Sequence, residues 1–190
     1  MIENIYKNFV YKVSSQHHND AKHDLLEAID KTFGQSHASE NSKITKTDFF
    51  KMPEPTLYAD LFFKSNFANI TQIAHLNGCN EWQINDVWFQ QYKKNDTHHW
   101  HTHPKSHFTN VYYLELPSSE MTTQIYDPIE QKCLDIKCNE GDIITFPAWF
   151  PHRSIPLESE ERKTIISYNI SLEITNTDHM MIIDDDVEEL

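Results

Sequence analysis

The rhythm of apolar positions along this chain changes near residue 86. Ahead of that point, Ile2, Ile5, Phe9 and Tyr11 alternate loosely with polar residues, which predicts a first strand over 2–13. In DAKHDLLEAIDKTF, residues 20–33, Leu25, Leu26, Ile29 and Phe33 fall at helical spacing. Asp20 is placed to cap that helix and Gly34 to end it. Residues 34–56 are polar and contain proline, so they predict a loop, while 57–76 mix apolar spacings that match neither period. From Asp86 onward, short apolar or aromatic runs recur between turn signals. They are DVWFQQY, HHWHTH, FTNVYYLEL, TTQIYD, KCLDI, DIITF, HRSIP and KTIISYNISLEI. Eight short strands at this spacing predict an all-β sandwich or barrel. They leave no room for crossover helices, which argues against a parallel α/β sheet. No internal repeat is present. The chain ends in DDDVEEL, five acids in seven residues, which reads as a solvated tail.

Composition narrows the class without changing the fold. The 190 residues, 38% hydrophobic and 12% aromatic, suffice for one packed core and exclude a disordered chain. A net charge of −13 argues against long nucleic acids as partners. MIENIYKNFVYKV lacks a basic leader followed by an apolar run, and no apolar stretch approaches the roughly 20 residues that span a bilayer. Cys79, Cys133 and Cys138 are odd in number and form no Cys-x-x-Cys pair. Reduced thiols in a cytoplasmic protein are the expectation. A homodimer is compatible with the sequence, which does not fix the oligomeric state.

Histidine is the count that calls for chemistry. Of 12 histidines, five lie between His98 and His107. In a strand, residues i and i+2 share a face, so His101 and His103 of HHWHTH can reach one ion. A third ligand has to come from a strand lying alongside. His152 is the best placed, following Gly141-Asp142 and the apolar run Ile143–Pro147. A chance surface pair is the plain alternative for His-x-His, and a structural zinc site is another, because imidazole suits zinc, copper and iron alike. Three protein ligands without a cysteine favour an open, reactive centre over a closed structural one. His98, His99 and His107 read as supporting or surface residues, and Trp88, Trp100 and Phe146 as core.

Residues 86–170 resemble the iron- and 2-oxoglutarate-dependent oxygenases of the prolyl-hydroxylase-like superfamily, in particular a group common in phage and marine bacterial genomes. The resemblance is carried by Trp88, HTHP at 101–104, VYYLELP at 111–117, YDP at 126–128, GDIITFPAWFPH at 141–152 and KTIISYN at 163–169. It implies a double-stranded β-helix, or jelly roll, over 86–175, with 1–85 as a helix and strand extension packed on the barrel and 176–190 as an acidic tail. It also implies an Fe(II) centre and 2-oxoglutarate as cosubstrate, in a dioxygenase that hydroxylates its substrate. The family's metal triad is His-x-Asp/Glu with a distal His. His101 and His152 match the outer members, and His103 stands at the carboxylate position. Either three histidines hold the iron, or an acid such as Glu115 or Asp127 completes the set.

The same resemblance places the cosubstrate's far carboxylate on a basic residue about ten positions past the distal histidine. Lys163 fits, with Ile165, Ser167 and Asn169 on the same strand face, and Arg162 is its neighbouring competitor. Arginine would grip a carboxylate with two parallel bonds, whereas lysine offers a point charge. Tyr113 matches a family tyrosine that bonds this carboxylate, and Tyr92 is placed to line the pocket. Core packing is the plain alternative for both tyrosines. The substrate is expected to be a small molecule or a protein side chain, with no membrane partner. Two further classes stay open: a cupin-like three-histidine metalloenzyme that uses no 2-oxoglutarate, and a non-catalytic jelly-roll binding module.

Overall fold

In the computed structural model, residues 3–6, 9–50, 56–103 and 105–173 are described, and they form two helices and twelve strands. The acidic tail expected from 176 lies outside them, as does the end of the barrel segment beyond residue 173.

The strand predicted over 2–13 is divided into β1 (Glu3–Tyr6) and β2 (Val10–Ser14), an antiparallel pair. Phe9 takes φ +64°, a left-handed conformation that turns the chain ahead of β2. Helix α1 runs His18–Lys31, with Asp20 inside its first turn and not at the cap. Its end comes before Gly34, where Thr32 N–H bonds back to the Ala28 and Ile29 carbonyls. The predicted loop over 34–56 instead holds a hairpin, β3 (Gln35–Ser39) and β4 (Ser42–Thr47). β3 is the exposed edge strand, and β4 buries Ser42 and Thr47 beside a single apolar residue, Ile44, so no apolar alternation announced them. Helix α2 (Leu57–Leu76) buries Tyr58, Phe62, Asn66, Ile70 and Ile73, while Leu57, Phe67 and Leu76 are exposed. Apolar residues on both faces are what blurred its period.

The remaining strands follow the eight predicted runs. They are β5 (Glu81–Tyr92), β6 (His98–His101), β7 (Phe108–Glu115), β8 (Thr123–Asp127), β9 (Lys132–Asp135), β10 (Asp142–Pro147), β11 (His152–Ser154) and β12 (Lys163–Glu173). They close into two antiparallel sheets, β1-β2-β10-β7-β12-β5-β4-β3 and β6-β11-β8-β9. The expected boundary at residue 85 falls inside β5, and the first 85 residues place four strands in the larger sheet. The fold is the double-stranded β-helix, a mostly β jelly roll.

The larger sheet is buried on both faces, which explains its near-continuous apolar strands. Tyr112, Ile166, Tyr168 and Ile170 face outward under α1 and α2, packed with Leu25, Ile29 and Phe62. Val111, Tyr113, Ile144, Phe146 and Ile165 face inward, against Ile125 and Leu134 of the smaller sheet. At full burial each such side chain contributes roughly 1.5–3 kcal/mol. The inner face turns polar toward one end, where Thr109, Ser167 and Asn169 are buried. Among the described residues no helix is long and apolar enough to cross a membrane.

Candidate metal centre

His101, His103 and His152 converge, with candidate ligand atoms all within 4.8 Å of one another. Two of them meet through sheet register, because His152 of β11 pairs directly with His101 of β6. Their ring centroids are 4.2 Å apart. His103 arrives differently from the strand parity expected of it. β6 ends at His101, and His103 N–H donates to the Ala148 carbonyl at 2.8 Å. Ala148 N–H in turn donates to the His107 carbonyl at 2.9 Å. These bonds tie the segment after β6 to the turn before β11. The His103 centroid then lies 5.1 Å from both other rings.

Burial holds all three rings neutral. Desolvation, followed by repulsion from His101, pushes His103 down to about 4 and His152 well below the usual imidazole range. His101 is lowered as well, chiefly by desolvation. His101 Nδ1 lies 2.8 Å from the His99 carbonyl, and His152 Nδ1 lies 3.0 Å from the Phe150 carbonyl. A carbonyl can only accept, so each Nδ1 carries the hydrogen and each Nε2 keeps its lone pair. Backbone acceptors behind the rings are the usual way such ligands are oriented. His103 Nε2 is buried without a hydrogen-bond partner, and its Nδ1 accepts from the Asn169 side-chain N–H at 3.4 Å, so in this arrangement the neutral ring carries its hydrogen on Nε2. Asn169 is itself held by the Thr109 hydroxyl at 2.9 Å. Neutral rings, the free Nε2 lone pairs of His101 and His152 and the orphaned Nε2 of His103 beside them fit a divalent transition metal.

Lys163 is the second feature of the same interior. It is 1% exposed at the start of β12, donates to Ser154 Oγ at 2.9 Å, and lies 5.2 Å from the Tyr92 ring centre. Among the described residues it has no acidic partner within ion-pair distance. Burial lowers its ammonium to about 7. Ser154 and Tyr92 also line the cavity between the sheets, together with His101, His103 and His152. The Tyr92 hydroxyl is buried beside Ser154 without a well-formed hydrogen bond. Tyr113 is fully buried, and its hydroxyl accepts the Thr123 N–H at 2.9 Å, which leaves its own hydrogen to donate.

Other candidates lie elsewhere. Arg162 makes two bonds to the Glu115 carboxylate, at 2.7 and 3.0 Å, and approaches Asp30 of α1 at 3.6 Å. That pairing takes Arg162 away from the cavity, which Arg153 lines while bonded to Gln124 and which Lys163 adjoins through Ser154. Glu115 is taken up by Arg162 and Thr164, and Asp127 accepts the Ile129 and Glu130 N–H groups of a turn. Neither belongs to the convergent group, which contains no carboxylate. Trp100, expected in the core, is 36% exposed beneath the Arg153 guanidinium. Trp88 and Phe146 are buried as expected, and they pack on His103 and His152. His98 stacks on His101 at 4.0 Å, His99 bonds Ser42, and His107 accepts the Leu172 N–H. Sequence reasoning missed Ser154 and the contact of Asn169. For Ser154 the signal existed: it stands two residues past His152 and so shares its strand face.

No protein-family model and no curated protein matches this chain. Solved structures do. A Burkholderia pseudomallei oxidoreductase of the 2OG-Fe(II) oxygenase family aligns with a TM-score of 0.72 and 11% identity, covering 87% of this chain and 86% of that one. A viral collagen prolyl hydroxylase from Paramecium Bursaria Chlorella virus-1, solved as its 2OG complex, gives 0.58 and 18%, covering 86% and 96%. The epimerase SnoN from nogalamycin biosynthesis, solved with Fe3+, alpha ketoglutarate and nogalamycin RO, gives 0.64 and 11%, covering 87% and 79%. At these identities the likeness is one of fold, and the fold it establishes is the jelly roll of 2OG-Fe(II) oxygenases.

Proposed function

We propose that this chain is an Fe(II)- and 2-oxoglutarate-dependent oxygenase, a hydroxylase of a small molecule or a protein side chain. One observation carries the reading: a three-imidazole cluster lines a cavity whose Ser154 is bonded from behind by a buried ammonium that has no acidic partner among the described residues. A buried charge calls for a counter-charge, and a dicarboxylate supplies one at Lys163 while leaving its other end for a metal. The fold likeness to proteins solved with 2OG, and in one case with Fe3+, supports the same assignment.

His101 and His152 would hold the metal through Nε2 with their Nδ1 hydrogens on backbone carbonyls, and His103 would join them through Nε2 once the Asn169 amide turns its oxygen to accept from Nδ1. Bound Fe(II) with its cosubstrate supplies the oxidation, converting 2-oxoglutarate and dioxygen to succinate and carbon dioxide as the substrate gains a hydroxyl. Lys163 pairs with the far carboxylate, and the hydroxyls of Ser154, Tyr92 and Tyr113 are the donors at hand to satisfy its remaining lone pairs. Val111, Ile165 and Phe146 wall the interior and exclude water.

The test is Fe(II)-dependent succinate release from 2-oxoglutarate, measured alongside iron content. The wild type should do both. Lys163→Met should keep iron and lose cosubstrate turnover, and His152→Ala should lose iron. Iron uptake without any succinate release would instead favour a cupin-like three-histidine enzyme, a reading that rests on the imidazole-only donor set. Full iron affinity in His152→Ala would remove both.

A further inference from the structure

A second cavity, of about 320 Å³, opens against the other side of the imidazole cluster. It shares Trp88, Gln90, His98, His101 and His103 with the interior that holds the metal candidates, and its lining includes neither Tyr92 nor Ser154 beside Lys163. Its outer wall comes from the β3–β4 hairpin, through His37 and Ile44, and from Phe49 and Phe50 just beyond β4. Among the described residues no Lys, Arg, Asp or Glu lines it, and apart from histidine its polar groups are Thr47, Gln90 and Thr102.

The rings of this wall form a continuous row. His37 lies 5.1 Å from Phe50, Phe50 lies 5.3 Å from Phe49, Phe49 lies 5.2 Å from Trp88, and Trp88 lies 5.3 Å from His103. Phe49 meets Phe50 at 86° and Trp88 at 72°, so both edges and faces are presented along the row. Phe49 and Phe50 are 50% and 52% exposed, a large apolar area to leave at a cavity mouth.

We propose that this cavity is the substrate site and that it selects an uncharged aromatic ring. The proposal rests on the oxygenase reading for the meaning of "substrate". A charged group entering here would lose its hydration and find no Lys, Arg, Asp or Glu among the described lining residues. An aromatic group instead extends the edge-to-face row already built. The volume sits at the low end of the roughly 300–1,000 Å³ typical of small-ligand pockets. That suits one ring system, and the ring would rest directly against His101 and His103.

Ligand-observed NMR on the metal-free and Mn(II)-loaded protein tests the assignment. The probes are indole, benzoate and benzyltrimethylammonium, with a capped Gly-Trp-Gly peptide as a second source of the indole ring. Saturable indole binding is expected, tighter than either charged probe, with its resonances broadened in the Mn(II)-loaded protein. Affinity should weaken roughly two- to tenfold in Phe49→Ala or Phe50→Ala. Both side chains are half-exposed, so their truncation leaves the core in place. Binding of the peptide in place of free indole would support the same site and name a protein side chain as the source of the ring. Failure of both ring probes to saturate, equal or better binding of a charged probe, or unchanged affinity in both variants would overturn the proposal. So would ring binding without Mn(II) broadening. Broadened, saturable binding in a protein that releases no succinate removes the oxygenase reading and leaves the ring site standing. Succinate release without ring binding removes this site alone.

Discussion

Two ionisable groups set the pH behaviour of the centre, and their signs can be worked out separately. Lys163 titrates at about 7 in the fold, against about 10.4 in an unfolded chain. Between those values the unfolded chain holds a proton that the folded one lacks, so the Lys163 contribution to stability rises with pH across that window. Below it the buried ammonium destabilises the fold. Lys163→Met should therefore raise Tm at neutral pH, by roughly 2–4 °C per kcal/mol recovered, while abolishing cosubstrate binding. A calorimetric scan beside a binding titration checks both. The wild-type affinity for 2-oxoglutarate should also fall as pH rises above about 7, by up to about tenfold per unit, because the amine has to take up a proton to meet the dianion. A pH-independent affinity from 7 to 9 would contradict Lys163 as the anchor. Asn169→Ala should loosen His103 and weaken metal affinity roughly 10- to 100-fold, read by a chelator competition that needs no turnover. At this scale, His101 and His152 were legible from spacing and a neighbouring strand. The place of His103 in the cluster rests on a backbone bond to Ala148 that no local pattern announces.

Elements show the same division. The eight barrel strands were readable because each is a short apolar run bounded by turn residues. The β3–β4 hairpin was not, because QSHAS is exposed at the edge and SKITKT buries mainly hydroxyl side chains. Apolar period reports burial only where the buried residues are apolar. Gly141 shows how tightly the elements are joined. It takes φ +86°, donates to the Tyr113 carbonyl and accepts from Ser15 N–H, and an added Cβ would meet His18 Cγ at 2.8 Å. Gly141→Ala combines an unfavourable backbone with an overlap. It should lower Tm by several degrees, on the order of 1–3 kcal/mol, with iron affinity little changed.

For the molecule as a whole, the large sheet with helices on one face and the smaller sheet on the other gives a scaffold whose interior is buried from both sides. Such a scaffold keeps its imidazoles neutral without a metal, so binding should act as a clamp on the folded state. At a free metal concentration of 100 times Kd the stabilisation is about 2.7 kcal/mol, which for a chain of this size is a Tm rise of roughly 5–10 °C. His152→Ala should lose that rise in differential scanning fluorimetry. The rise should also shrink toward pH 4 as His103 protonates.

One short strand has a further consequence. β11 carries His152 at one end and Ser154, the partner of Lys163, at the other, with about 7 Å between their Cα atoms. With Lys163 as the proposed anchor, those three residues would act as a caliper between the two ends of a dicarboxylate. β6 and β8 flank this strand on its two sides, so oxaloacetate and 2-oxoadipate, one carbon shorter and longer, should bind more weakly than 2-oxoglutarate in a binding titration.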